Sequence, residues 1–330
     1  MNDYRGGPGA LDSAEALPEA IDDADADPEF ETRQTRVDAT KHGARLDLVL
    51  TQLAPEFSRN HLQGLVVQGD VLLDGLPVLL PSRKLRVGQQ LQVRLVPPAQ
   101  SLAFRPQAMT LAIVHEDEHL MVLHKPAGLV VHPAPGHWSG TLLNGLLAHD
   151  PAAAQLPRAG IVHRLDKDTS GLMVVGRSLV AVTALVRDMA QRDIHRRYMA
   201  LAHGDVGDQP LSLDAPIGRD PSTRVRMAVV AGGKPARTDV ARVACRDQIS
   251  AVWCTLHTGR THQIRVHLAH QGHPLVADAL YGGAPALGLQ RQALHAAWLS
   301  LLHPVSRQPL DFQASPPPDF ASAWHDVVSN

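Results

Sequence analysis

One stretch of this 330-residue chain concentrates side chains that can do chemistry, residues 160–171, GIVHRLDKDTSG. Apolar Ile161 and Val162 read as the end of a buried strand, and the apolar run 172–175 as the next one. Between them lies a polar turn of His163, Arg164, Asp166, Lys167, Asp168, Thr169 and Ser170. Strands on both sides hold such a turn rigidly, which is how scaffolds present catalytic groups. A carboxylate in it can act as a nucleophile. It must be ionised to do so, and burial against a substrate opposes ionisation, so a neighbouring cation is required. Taken alone, the turn reads by default as a charged, solvated hairpin.

Two further groups stand far away in the chain. His195-Arg196-Arg197-Tyr198 follows a helix over about 178–192, whose apolar face is Val182, Leu185, Val186 and Met189, and precedes a strand at 199–202. A basic cluster beside an aromatic suits a nucleotide, with arginine for the phosphate and the ring for the base face; as a bare core residue, Tyr198 would bury its ring and satisfy its hydroxyl. Thr258-Gly259-Arg260-Thr261-His262-Gln263-Ile264-Arg265 closes a strand that starts near Ala251, and a helix runs on to about Gln271, with Gly272 suited to its stop. Gly232-Gly233-Lys234 lacks the spacing of a phosphate loop. The crowd of His257, His262, His267, His270 and His273 raises a metal hydrolase as a rival reading. No H-E-x-x-H pattern or facial triad supports it, and no carboxylate interrupts the run before Asp278.

The elements that must position these groups fall into segments. Residues 1–38 read as a disordered acidic tail; the first 35 carry ten acids against two arginines, and the rest 23 acids against 29 Lys and Arg, a net of +6. A mildly basic body fits a polyanionic partner. A small domain at 39–97 opens with Leu46, Val49, Leu50 and Leu53 at helical spacing. Ser58 can cap a second helix that buries Leu62, Leu65 and Val66 and ends at Gly69. Val71-Leu72-Leu73, an Asp74-Gly75 turn and the alternating Leu91, Val93, Leu95 read as strands. Prolines 97, 98 and 106 mark a linker at 98–108. The large domain, 109–330, begins with two apolar runs around Glu116-Asp117-Glu118, a hairpin signal, and a short helix over 141–149. No run of about 18 apolar residues and no leader pattern is present, and the two cysteines, Cys245 and Cys254, are too few for a disulfide framework. The expectation is a soluble, cytoplasmic chain.

HRLDKDTSG resembles the signature of the pseudouridine synthases that modify ribosomal large-subunit RNA. Distant segments carry the same resemblance in the family's order: HKPAGLVVHP at 124–133, RRYMAL at 196–201, MAVVAGGKPARTDV at 227–240, TGRTHQIRVHLA at 258–269, LVADALYGG at 275–283 and, more loosely, the chain from Arg291. Residues 44–75 are similar to the S4 RNA-binding module, although Asn60 and His61 follow Arg59 where that module usually has more basic residues.

The resemblance implies an α+β fold, a mixed and mainly antiparallel sheet with the active cleft across it, preceded by an S4-type domain. It makes Asp166 the catalytic carboxylate and Arg265 its cationic partner. Tyr198 would stack on the target uridine with Ile264 opposite, and Arg164 would fill the space that the flipped uridine vacates. Asp168, with Thr169 and Ser170, would hydrogen-bond the backbone of the turn. Arg45, Ser58 and Arg59 are the expected RNA contacts of the small domain. The reaction breaks N1–C1′, turns the uracil and rejoins it through C5, so no cofactor, no nucleotide and no metal is expected. The implied partner is large-subunit rRNA or the assembling subunit, bound by a monomer with no membrane involved. Length, domain order and the KPA and VVHP segments favour the branch that acts on the helix 69 stem-loop of 23S rRNA. Sister enzymes acting on other 23S or tRNA uridines, and an RNA-binding protein without catalysis, are the alternatives.

Overall fold

The computed structural model describes residues 30–96, 99–134, 136–223 and 225–329. The chain divides into two compact units, Met1–Pro98 and Ala99–Asn330. The first runs β1 (Glu31–Arg36), α1 (Leu46–Leu53), α2 (Arg59–Gln68), β2 (Val71–Leu73), β3 (Leu76–Pro77) and β4 (Gln90–Leu95). Its sheet order is β1-β4-β2-β3. Leu46, Val49 and Leu50 of α1 and Leu62, Leu65 and Val66 of α2 are buried with Leu91, Val93 and Leu95, the inward half of β4. Ser58 caps α2, its Oγ accepting from His61 N at 3.3 Å, and Gly69 closes the helix in the left-handed region.

The acidic tail falls outside the described residues as far as 29, and its expected end at 38 is corrected. Residues 31–36 form β1, paired antiparallel with β4 from Glu31↔Leu95 to Arg36↔Gln90. Its sequence, ETRQTR, is polar at every position, because an edge strand with little buried surface needs no apolar face.

The expected linker at 98–108 is also corrected where it is described. A 3-10 segment, Ala99–Phe104, starts the second unit. The Asn144 side-chain amide donates to the carbonyls of Leu102, Ala103 and Arg105, at 3.0, 3.3 and 2.8 Å, and so binds the segment to that unit. There follow β5 (Ile113–Glu116), β6 (Leu120–Lys125), α3 (Leu142–His149), β7 (Ser170–Gly176), α4 (Leu179–Gln191), β8 (His195–His203), β9 (Leu211–Asp214), β10 (Ile217–Arg219), β11 (Met227–Val229), β12 (Arg237–Arg246), β13 (Ile249–Leu256), α5 (Gln263–His270), β14 (Leu294–Leu302), β15 (Pro309–Gln313) and α6 (Pro318–Val328). Among the described residues β10 and β11 pair separately, and the other nine strands make one sheet ordered β5-β6-β7-β14-β8-β13-β12-β9, with β15 on β14. Every pairing in it is antiparallel except β7 with β14. The architecture is therefore α+β with a mixed, mainly antiparallel sheet.

The register places the chemistry. Lys125, Gly171, Ala296, Tyr198 and Cys254 are successive neighbours across β6, β7, β14, β8 and β13. Two strand spacings, about 10 Å, therefore separate the end of the polar turn from Tyr198. At Gly171 the backbone has φ +121°, and a Cβ there would lie 2.2 Å from the Ala296 carbonyl oxygen, so β7 and β14 meet only because this residue is glycine.

Two local expectations differ. Ile161 and Val162 do not end a strand: they follow a 3-10 turn in which Arg158 and Ala159 are left-handed, and Ile161 makes a single bridge to Val175. Strand β8 already begins at His195, so the basic–aromatic cluster alternates between the two faces of the sheet rather than preceding it.

Candidate active site

The polar turn leads straight into β7 and is anchored from elements far away in sequence. Lys125, wholly buried at the end of β6, donates from Nζ to the carbonyls of Pro126, Leu129 and Lys167 at 2.8, 2.9 and 2.9 Å. Arg291 Nη1 donates to the Asp168 carbonyl at 3.0 Å, and Asp319 holds that guanidinium at Nε and Nη2. The Gln292 amide donates to Thr169 Oγ1 at 3.3 Å. His295 Nε2 donates to the Ala314 carbonyl, which leaves Nδ1 to accept from the Ser170 hydroxyl at 2.9 Å. Burial holds His295 neutral, its pKa pushed down to about 4. Asp168 does not perform the backbone bonding expected of it: among the described residues its carboxylate makes no hydrogen bond, and Lys125, Arg291 and Gln292 tie down the turn instead.

Asp166 projects from the turn with its carboxylate largely buried. Arg265 Nη1, from the first turn of α5, donates to its Oδ2 at 3.0 Å. The other edge of the same guanidinium is locked by Asp278, with Nε to Oδ2 at 2.7 Å and Nη2 to Oδ1 at 2.8 Å. Burial opposes the charge on Arg265, but the bonds and charges of Asp278 and Asp166 more than offset it, and the guanidinium stays cationic. The loop before α5 is fixed by buried Gln263. Its Oε1 accepts from Thr258 Oγ1 and Arg260 N, and its Nε2 donates to the Arg237 carbonyl and Thr238 Oγ1.

His262 enters α5 with φ +57°, a left-handed conformation that costs a non-glycine residue about 1 kcal/mol or more. The Tyr281 hydroxyl accepts from Met227 N and meets His262 Nδ1 at 2.8 Å. Its own hydrogen therefore serves Nδ1 and leaves the ring proton on Nε2, which stands 3.8 Å from Asp166 Oδ1. Burial lowers the His262 pKa, and the Asp166 charge pulls the other way. Asp166 Oδ2 is thus committed to Arg265, while Oδ1 makes no hydrogen bond among the described residues. Oδ1 is the oxygen available to a substrate.

This carboxylate opens on a cleft of about 870 Å³. Tyr198 and Ile264 both line it and are buried in the same apolar cluster, and burial raises the Tyr198 pKa. Arg164 is exposed on its wall, with Arg158, Arg192 and Arg260. The structure thus brings Asp166, Arg164, Tyr198, Ile264 and Arg265 to one cleft. Arg45, Ser58 and Arg59 belong to the other unit. There Arg45, Arg59 and Gln63 all donate to wholly buried Asp47, and these bonds, that of Arg45 first, hold its carboxyl well below the usual range. Ser58 is the cap of α2.

The histidines of the rival reading disperse onto separate partners. His257 meets Asp239, His267 meets Thr238 and Ala215, and His273 meets the His203 carbonyl. Among the described residues no three potential metal ligands converge, and no helix is long and apolar enough to cross a membrane.

Sequence reasoning missed Asp278, Lys125, Arg291 and Gln292. Asp278 had a signal: it is the one charged residue in the apolar run LVADALY, and a charge in such a run needs a buried partner. Of the anchors, Lys125 lay in the HKPAGLVVHP segment, but the contacts that it, Arg291 and Gln292 make to the turn cross 40 to more than 120 residues, which no local pattern shows.

Residues 119–270 match the family model described as RNA pseudouridylate synthase. The chain is 48% identical over 290 residues to the ribosomal large subunit pseudouridine synthase D of Neisseria meningitidis serogroup B, across 84% of this chain and 77% of that one. It is 47% identical over 303 residues to the ribosomal large subunit pseudouridine synthase D of Xanthomonas campestris pv. campestris, across 87% and 90%. Among solved structures, human RNA pseudouridylate synthase domain containing 1 superposes with a TM-score of 0.52 at 26% identity, covering 65% of this chain and 88% of that one. With a buried Asp–Arg pair facing a cleft on a sheet of this kind, and with relatives this similar along most of its length, the chain belongs to the RNA pseudouridylate synthase family of isomerases.

Proposed function

We propose that the protein converts uridines of ribosomal large-subunit RNA to pseudouridine, with Asp166 as the catalytic carboxylate. The observation that carries this is the half-committed Asp166, with Oδ2 on Arg265 and Oδ1 facing a cleft walled by Tyr198 and Ile264. The names of the relatives supply the substrate class.

In this reading the uridine leaves its stack, which costs a few kcal/mol, and enters between Tyr198 and Ile264. Arg164, exposed on the cleft wall, takes up the vacated space. Asp166 Oδ1 either stabilises the sugar as N1–C1′ breaks, or bonds the nucleotide transiently and is released again by the time C5 has joined C1′. The detached uracil turns within the walls, C5 bonds C1′, and the C5 proton is lost as N1 gains one, so no external group or electron is consumed. Arg265 holds Oδ2 by a charge-assisted bond throughout. The first unit would act as an S4-type module that docks structured RNA through its helix pair. There the arginines Arg45 and Arg59 remain about half exposed beyond their bonds to Asp47. The favoured target is the helix 69 stem-loop of 23S rRNA, free or in the assembling subunit, bound by a monomer.

The test is chemical mapping of pseudouridine in rRNA from cells lacking the gene, complemented with wild type or Asp166→Asn. Signals in helix 69 should vanish in the deletion and return only with wild type. Loss at other 23S or tRNA positions would keep the enzyme and move its target to that of a sister enzyme. An unchanged map would leave RNA binding without catalysis.

A further inference from the structure

Arg196 is a buried residue of the cleft whose chemistry the reaction above does not use. It lies two residues before Tyr198 on β8, on the same face of the sheet, and lines the same cleft. It is 8% exposed, it has no carboxylate within 4.0 Å among the described residues, and its Nε is a buried donor with no partner. A buried guanidinium without an anion is costly, and the other buried arginine of the cleft, Arg265, has two carboxylates. A second unpaired donor stands near it. His163 Nε2 accepts from Val174 N at 3.0 Å, so its proton is on Nδ1, and Nδ1 is buried without a partner. Burial, and then the charge of Arg196, push the His163 pKa down to about 3, so this ring is a neutral donor. Space is left for the guanidinium by Gly259, where a Cβ would come 3.1 Å from Arg196 Nη1. Neighbouring Arg197 points the other way, over the rings of Trp253 and Trp298, at 4.7 and 5.9 Å from their centroids.

We infer that Arg196, assisted by the Nδ1–H of His163, forms an anion subsite that binds one phosphodiester of the substrate RNA beside the target uridine. The inference rests on the RNA substrate proposed above and adds a residue that positions the nucleotide. A two-residue step along a strand, about 7 Å, is comparable to the separation of base and phosphate within one nucleotide. Tyr198 and Arg196 can therefore hold the base and the phosphate of one or adjoining residues. The bound phosphate supplies the counter-charge that the described residues do not provide to this guanidinium.

The test uses the full-length chain as wild type, Arg196→Gln and Arg196→Lys on a large-subunit rRNA fragment. Arg196→Gln should lose about 10- to 100-fold, falling on KM rather than kcat. It should also flatten the log–log salt dependence of binding by about 0.7–0.9, the share of one phosphate. Arg196→Lys should keep that slope. A structural arginine would change stability and leave the slope alone. A companion measurement alters only the RNA: phosphodiesters around the target are replaced singly by neutral methylphosphonate. One position should weaken the wild type as much as Arg196→Gln does and have no effect on the variant. If no position weakens the active wild type, the inference is overturned, whether or not Arg196→Gln folds. If the wild type forms no pseudouridine in that RNA, the substrate reading fails and takes this inference with it.

Discussion

Asp278 does not itself line the cleft, yet Asp278→Asn should disable the site. In the wild type it makes two short bonds, 2.7 and 2.8 Å, to Nε and Nη2 of Arg265, with 1% of its own side chain exposed. Asparagine keeps the shape and one acceptor but turns an N–H donor toward the guanidinium. One charge-assisted bond, worth about 1.5–3 kcal/mol, is lost, and an unpaired buried donor adds to the cost. Removing one partner of a buried pair outright costs about 3–5 kcal/mol. With one acceptor kept and Asp166 still present, a loss of about 3 kcal/mol is expected. For a unit of this size that lowers Tm by roughly 6–12 °C, readable by calorimetry or circular dichroism. The released guanidinium can then turn two nitrogens onto Asp166 and occupy Oδ1, so kcat for pseudouridine formation should fall about 10- to 100-fold. Combining Asp278→Asn with Asp166→Asn should give clearly non-additive stabilities, because both act through Arg265. A variant that melts within about 2 °C of wild type and retains its kcat would refute the view that Asp278 holds Arg265 in place.

Lys125→Met removes the ammonium that gathers three buried carbonyls. Each unsatisfied carbonyl costs about 1–3 kcal/mol, so denaturant melts should show a loss of at least about 3 kcal/mol; near-wild-type stability would contradict the anchoring role. Gly171→Ala forces a Cβ against the Ala296 carbonyl at positive φ, and overpacking with backbone strain should destabilise by about 3 kcal/mol or more. A neutral Gly171→Ala would mean that β7 and β14 do not meet as described. Stability should also fall in mild acid. His163 and His295 are held neutral with pKa values pushed down to about 3 and about 4 by burial, whereas unfolded histidine takes up its proton near about 6.5. Between about 6.5 and 4 the unfolded chain binds more protons, so stability is whole above about 6.5 and declines below it. The two groups together give a slope approaching about 2.7 kcal/mol per pH unit. Melts that are flat between pH 6.5 and 4.5 would contradict the neutral burial of these rings.

The parts of the fold that could be read in advance are those written in local periodicity. The faces of α1 and α2, the Ser58 cap, the Gly69 stop and the β5–β6 hairpin all follow from spacing within about ten residues, whereas α4 buries Val182 and Leu185 but leaves Val186, expected on the same face, exposed. Strand β1 was missed for the opposite reason: as a polar edge it carries no pattern, and only its partner β4 makes it a strand. At the site, the turn, the tyrosine and the loop before α5 each stood out by residue type. Their convergence is a property of the register, which sets β7, β14, β8 and β13 side by side although they are scattered over more than 120 residues. The role expected of Asp168 shows the same limit: nearby carboxylates look like turn-formers, while the bonds that hold this turn come from β6 and from the segment before β14.

Purified wild type and Asp166→Asn, incubated with a large-subunit rRNA fragment carrying the helix 69 stem-loop under single-turnover conditions, put the assignment of Asp166 to its test. Asparagine keeps the shape of the side chain and an acceptor for Arg265 but has no nucleophilic carboxylate. Wild type should form pseudouridine, and Asp166→Asn should bind the RNA with comparable affinity and form none. Pseudouridine formation by Asp166→Asn at a rate near that of wild type would contradict the assignment of Asp166 as the catalytic group.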